Sequence, residues 1–245
     1  MKKAIAVCIV LIMAVTLVSA ACADGKLTFR GVDSEGNVCT ESMLKGSKVI
    51  LFNRWEPWCA PCRSELPALG KLYDTYGDEG LMILGAYSYT QSASYTLNMT
   101  AGELLDEAGC GYPNIIVDDA FNPFNVPFVP YSFLMNSEGE ILPLSQECKD
   151  AFVEESIAGE KAFIGSFMRR YENGDFNRYL DDPDLAAELD ECLDICSSEE
   201  SKAEYLDQCR KEVLAQFGEY LDNNIIPGST TIDVYQCWIK AALED

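Results

Sequence analysis

The chain has 245 residues, a formal net charge of −22 and no histidine. So strong an acidic excess argues against a nucleic-acid backbone or an anionic lipid surface as partner. Without imidazole a four-ligand zinc site would have to recruit scattered cysteines, so no metal is expected.

Lys2 and Lys3 precede an apolar run over 4–18, followed by the small residues Ser19-Ala20-Ala21-Cys22-Ala23. That is the layout of an export signal, and the run is shorter than the ~20 residues that span a bilayer. Residues 1–23 therefore read as a signal peptide released at Asp24. Lipidation of Cys22 is the alternative, and membrane attachment would depend on it. Either route puts the chain outside the cytoplasm, where disulfides persist. The eleven cysteines fit such a compartment. Cys39 and Cys110 read either as small buried hydrophobes or as bridge partners.

Short strands over 27–29 and 38–40 flank a turn, Asp33-Ser34-Glu35-Gly36-Asn37, giving a hairpin. Residues 48–53 are a buried strand. A helix follows over 62–76, with Leu66, Leu69, Leu72, Tyr73 and Tyr76 at helical spacing and Pro67 as a kink. A second apolar strand at 81–87 completes a right-handed parallel strand–helix–strand unit. Thr100-Ala101-Gly102-Glu103 caps a short helix to Ala108. Residues 114–117 and 131–135 are further strands. A turn at Asn136-Ser137-Glu138-Gly139 leads into a return strand over 140–144. A helix over 152–171 covers the sheet.

From Asp175 onward 18 acidic residues face 5 basic ones, a run that reads as solvated helix surface. Amphipathic helices are predicted over 183–196 and 198–221, the second capped by Ser197-x-x-Glu200. A loop over 223–231 and a last helix over 231–243 complete the chain. The expected division is a domain at 24–174 and a helical, cysteine-containing extension at 175–245.

The chemistry-bearing motif is Trp58-Cys59-Ala60-Pro61-Cys62-Arg63. It lies where the 48–53 strand meets the following helix. There the unpaired N–H groups and the helix dipole favour a thiolate on Cys59, and Cys62 lies one turn further in, placed to attack a mixed disulfide. Pro61 begins the helix at a position whose N–H would go unused. Trp58 reads mainly as packing, with shielding of the sulfur as a second role.

The stretch from Asn53 to Tyr76 resembles the TlpA/ResA-like branch of the thioredoxin family, which are exported thiol–disulfide oxidoreductases. The branch's pattern appears here as Asn53, Trp55, Trp58 to Arg63, Glu65, Leu66-Pro67 and Leu69. A second landmark, a cis-proline facing the C-x-x-C, matches Val129-Pro130-Tyr131-Ser132-Phe133-Leu134, with Glu138-Gly139-Glu140 after it. The resemblance implies an α/β thioredoxin-like fold, a central mixed sheet flanked by helices, here with a C-terminal α-helical extension. It implies catalysis by Cys59 and Cys62, and a substrate groove formed by Val129, Pro130, Trp58 and Pro61. No cofactor is implied beyond the redox-active disulfide. Partners would be protein thiols and disulfides, with room for a membrane electron donor.

Asn53 stands where thioredoxin keeps a buried Asp, so proton transfer to Cys62 is assigned to water or to Glu56. A peroxiredoxin would need P-x-x-x-T-x-x-C, whereas Pro57 is only two before Cys59. A copper-delivery protein of this fold would need C-x-x-x-C and a distal His. The alternative from another class is an exported interaction module whose Cys59–Cys62 bridge is purely structural. In the tail, helical spacing and a turn near Ser197 suggest structural bridges Cys192–Cys209 and Cys196–Cys237. A redox relay through Cys196 or Cys237 is the competing reading.

Overall fold

The computed structural model describes residues 20–23, 26–88, 99–118, 120–177 and 182–244. The Lys2/Lys3 leader, its apolar run and the Asp24 cleavage point lie outside these residues. β1 (Ala20–Ala23) runs antiparallel to β2 (Lys26–Val32), with Cys22 opposite Leu27. β3 (Val38–Thr40) folds back on β2 as the predicted hairpin.

β4 (Val49–Arg54) is buried at every position, as a strand covered on both faces must be. It leads into α1 (Ala60–Tyr76) and then β5 (Leu81–Tyr87), which pairs with β4 in parallel from Val49 opposite Leu81. α2 (Ala101–Glu107) opens on the predicted Thr100/Glu103 capping box. β6 (Asn114–Ile116) extends the parallel set, and β7 (Tyr131–Met135) lies antiparallel on the other side of β4. Phe52 stacks on Phe121 and Phe133, with centroids 5.8 and 4.8 Å away, on one face of the sheet.

After β7 the chain turns at Asn136–Gly139, where Gly139 has φ +79° and a Cβ would meet the Leu27 carbonyl oxygen at 2.6 Å. The return begins as predicted: Ile141 bridges Met135, and Leu142 N–H donates to Leu134 O at 2.9 Å. At Pro143, which has no N–H to give, the chain leaves the sheet. Four helices follow: α3 (Gln146–Ser156), α4 (Ala158–Glu172), α5 (Pro183–Cys196) and α6 (Glu199–Asp222). The chain then comes back as β8 (Ile226–Pro227), with Ile226 opposite Ser132 and Pro227 opposite Tyr131. The strand predicted at 140–144 is thus reduced to single bridges at Glu140 and Ile141, and β8 stands within the stretch predicted as a loop over 223–231.

α7 (Ile232–Glu244) packs on α1, α3 and β4, burying Val234, Tyr235, Trp238 and Ile239 in the main core. The path order is β1-β2-β6-β5-β4-β7-β8, with β3 on β2.

Two expectations are corrected. The single helix over 152–171 is two, α3 and α4, broken at Ile157. Ser156 Oγ donates back to Phe152 O at 2.8 Å there, a contact that weakens and bends helices. The tail bridges are not Cys192–Cys209 and Cys196–Cys237: Cys192, Cys196 and Cys209 are free thiols, and Cys237 is bonded to Cys148. The reason is packing. α7 lies against α3, which brings Cys237 to Cys148, while Cys192 and Cys196 join a small apolar cluster with Ile164, Phe167 and Leu189.

Candidate active site

Beyond Arg54 the chain passes through Trp55 and Glu56 to a turn in which Cys59 N–H donates to Glu56 O at 3.0 Å. Trp55 is fully buried; its Nε1–H donates to Asn114 Oδ1 at 3.1 Å, and its ring lies 5.1 Å from that of Tyr87. Gly85 makes this possible, because a Cβ there would overlap the Asn114 carboxamide. Trp55 thereby forms a rigid floor beneath the cysteine turn.

Cys59 is the N-cap of α1 and is bonded to Cys62, with Cα atoms 5.3 Å apart. Its Sγ accepts from Cys62 N–H at 3.2 Å. On reduction that N–H and the helix terminus behind it stabilise a thiolate on Cys59. Cys59 retains 5% exposure and Cys62 none, so the first sulfur is the one an incoming group reaches. Pro61 sits exposed in the first helical turn, and Trp58, 45% exposed, projects beside the sulfur.

Opposite lies the second landmark. The Val129–Pro130 bond is cis, and the Val129 carbonyl oxygen is 3.5 Å from Cys59 Sγ. A cleft of about 390 Å³ runs along this loop, walled by Trp58, Phe121, Val126, Phe128 and Val129. The structure thus brings Trp58 and Val129 to one cleft and Cys59 to within 3.5 Å of the Val129 carbonyl oxygen, while Cys59, Pro61 and Pro130 do not line that cleft.

Two polar clusters flank the disulfide, on opposite faces of the sheet. On the cleft side Arg54 and Glu56 form a buried ion pair of 2.6 Å. Arg54 also donates to the Ala86 carbonyl at 3.2 Å, and Ser88 N–H donates to Glu56 Oε1 at 2.9 Å. Glu56, one of the proton carriers proposed from sequence, is held in that pair.

On the other face Glu65, one helical turn after Cys62, is 2% exposed. Its Oε1 accepts from Asn53 Nδ2 at 2.8 Å and its Oε2 from the Tyr235 hydroxyl at 3.3 Å. Asn53 Nδ2 also donates to Ser132 Oγ at 3.0 Å, and Ser132 Oγ lies 3.0 Å from the Tyr235 hydroxyl. Burial pushes the Glu65 carboxyl up to about 8, against the opposing bonds from Asn53, Tyr235 and the Thr230 backbone. Residues at i and i+3 share a helix face, so Glu65 is a titratable group on the same face of α1 as Cys62. Sequence reading noted Glu65 only as part of a motif. The available signal was a carboxylate on the stripe formed with Leu69, Leu72 and Tyr76. Tyr235 was missed altogether.

Among the described residues no group of three or more His, Cys, Asp or Glu side chains is placed to hold a metal ion.

The AhpC/TSA family profile matches residues 19–113. The thiol-disulfide oxidoreductase ResA of Halalkalibacterium halodurans is 29% identical over 113 residues, 45% of this chain and 60% of that protein. ResA of Geobacillus kaustophilus is 30% identical over 111 residues, 44% of this chain and 60% of that protein. Over these residues the chain is similar to ResA-type thiol-disulfide oxidoreductases. The thioredoxin-like protein YneN of Bacillus subtilis is 32% identical over 98 residues, covering 40% of this chain and 55% of YneN. The chain therefore spans under two thirds of the length of these curated relatives. Among solved structures, the thioredoxin domain of a thiol-disulfide oxidoreductase from Bacteroides vulgatus aligns with a TM-score of 0.40 at 22% identity, covering 51% of this chain and 84% of that one. The chain carries a Cys59–Cys62 disulfide with a cis Val129–Pro130 bond nearby, and it places α3 to α6 between the paired strands β7 and β8.

Proposed function

We propose that the chain is an extracytoplasmic thiol–disulfide oxidoreductase that exchanges the Cys59–Cys62 disulfide with protein thiols. The observation that carries this reading is the sulfur of Cys59 at the head of α1, 3.5 Å from the Val129 carbonyl oxygen of the cis-proline loop, whose Val129 lines the neighbouring cleft. The N-terminal Lys2/Lys3 and apolar layout supports export. The redox module would comprise residues from about 26 to 142 completed by 226–244, with the intervening helices as an insertion.

A substrate thiolate attacks Cys59 Sγ, the Cys59–Cys62 bond breaks, and its electron pair leaves on Cys62. Cys62 takes a proton from the Glu65 carboxyl. The second substrate thiolate then attacks its partner sulfur in the mixed disulfide, releasing Cys59 as thiolate and the substrate as disulfide. In reverse, Glu65 carboxylate accepts the Cys62 proton and the Cys62 thiolate resolves the mixed disulfide. Direction follows the potential difference from the partner, where 30 mV corresponds to about 1.4 kcal/mol.

Reduction of insulin disulfides with dithiothreitol as electron source tests the reading. Turnover by the wild type and background turnover by Cys59→Ser are expected; equal rates would leave the bridge as a structural staple.

A further inference from the structure

We infer that Tyr235, on the last helix, is the positioning residue that holds the Glu65 carboxyl for proton exchange with Cys62. The inference rests on the oxidoreductase reading and adds to it a residue from a helix remote in sequence.

The geometry is a closed ring of four side chains. Asn53 grips one carboxyl oxygen and Tyr235 the other, and Ser132 joins Asn53 to Tyr235. Asn53 and Ser132 face each other across β4 and β7, and Tyr235 closes the ring from α7. All four side chains are buried, so no member finds an alternative partner in bulk water. A phenol hydroxyl both donates and accepts. With Glu65 ionised, Tyr235 donates to Oε2. With Glu65 protonated, the tyrosine oxygen accepts that proton and its own hydrogen turns to Ser132 Oγ. The ring therefore serves both protonation states by rotating hydroxyls, without moving a chain.

Tyr235 is itself fixed from several sides. Cys237, two residues on, is bonded to Cys148 of α3, and Trp238 Nε1–H donates to Pro143 O at 3.0 Å. Glu155 of α3 accepts from Thr231 N–H at 2.8 Å and from the hydroxyls of Thr230 and Thr231, fixing the chain at the start of α7. The groups around the carboxyl are few. Tyr235 comes from α7 and Asn53 from β4; Lys71 of α1 and Glu155 of α3 share with Glu65 a groove of about 520 Å³. Tyr112 interacts with Glu65 electrostatically from the segment before β6.

The test uses the full chain and two substitutions that keep the ring in place. Tyr235→Phe removes the hydroxyl, and a ring-fluorinated tyrosine incorporated at 235 makes it a stronger donor. The Glu65 titration is read from its carboxyl carbon resonance in the disulfide form, where no turnover is needed. Tyr235→Phe should weaken Glu65 as an acid on the order of tenfold, and the fluorinated residue should strengthen it. The pH profile for resolution of a Cys59 mixed disulfide should move in the same directions, and Glu65→Gln should abolish its dependence on residue 235. An unmoved Glu65 titration in whichever variant folds overturns the assignment. Loss of disulfide exchange by the wild type would instead overturn the enzyme reading, since the resonance experiment does not depend on it.

Discussion

Cys148, in the first turn of α3, and Cys237, on α7, are bonded across 89 residues of sequence. The bridge ties the beginning of the inserted helices to the helix that closes the main core. Converting both to Ala should lower stability by about 2–4 kcal/mol in a urea titration under non-reducing conditions, while insulin reduction persists. Peptide mapping of the unreduced protein should recover Cys148 and Cys237 in one linked fragment, with Cys192, Cys196 and Cys209 alkylated.

Cys59→Ser should abolish mixed-disulfide formation, whereas Cys62→Ser should accumulate it, because the more accessible sulfur still attacks and the fully buried one no longer resolves. Intact-mass measurement after incubation with a disulfide peptide reads this directly. Adduct on Cys59→Ser, or none on Cys62→Ser, would reverse the assigned roles.

The Glu65 carboxyl is pushed from 4.5 to about 8 in the folded chain, so between those values the folded state binds a proton that the unfolded chain has released. Stability is therefore full below about pH 4.5 and is lost as pH rises through about 8, at up to about 1.4 kcal/mol per pH unit from this group. Glu65→Gln should flatten that slope in urea titrations of the oxidised protein. An unchanged slope would mean that another group carries it.

Arg54 and Glu56 side chains are 7% and 2% exposed, so removing one partner strands a charge. Arg54→Ala should destabilise by about 3–5 kcal/mol, and Arg54→Met with Glu56→Gln by clearly less. Thermal or urea unfolding of both variants checks this; equal losses would mean that packing, not charge, is at stake.

The local parts of this architecture were legible in the sequence. The strand, the cysteine turn, α1 and β5 lie within one continuous stretch, and periodicity together with the C-x-x-C motif marks them. The Thr100/Glu103 cap was legible for the same reason. β8 was not, because two residues, one of them proline, carry no strand pattern of their own. Ile226 becomes strand only because Ser132 offers it a pairing edge. The Cys237 partner was set by which helix α7 packs against, and helical spacing within the tail is silent on that. Tyr235 belongs to an apolar stripe with Trp238 and Ile239, and only the fold reveals that its hydroxyl meets Glu65, 170 positions earlier.

The packing of α7 into the main core also bears on how the molecule comes into being. A ribosome delivers β4, the cysteine pair and α1 well before the thirteen residues of α7. Until they arrive, the core lacks Tyr235, Trp238 and Ile239, and the Glu65 carboxyl lacks its tyrosine partner. A nascent chain therefore holds both cysteines and Glu65 before the hydrogen-bonded ring around that carboxyl can close, and the arrival of α7 closes it.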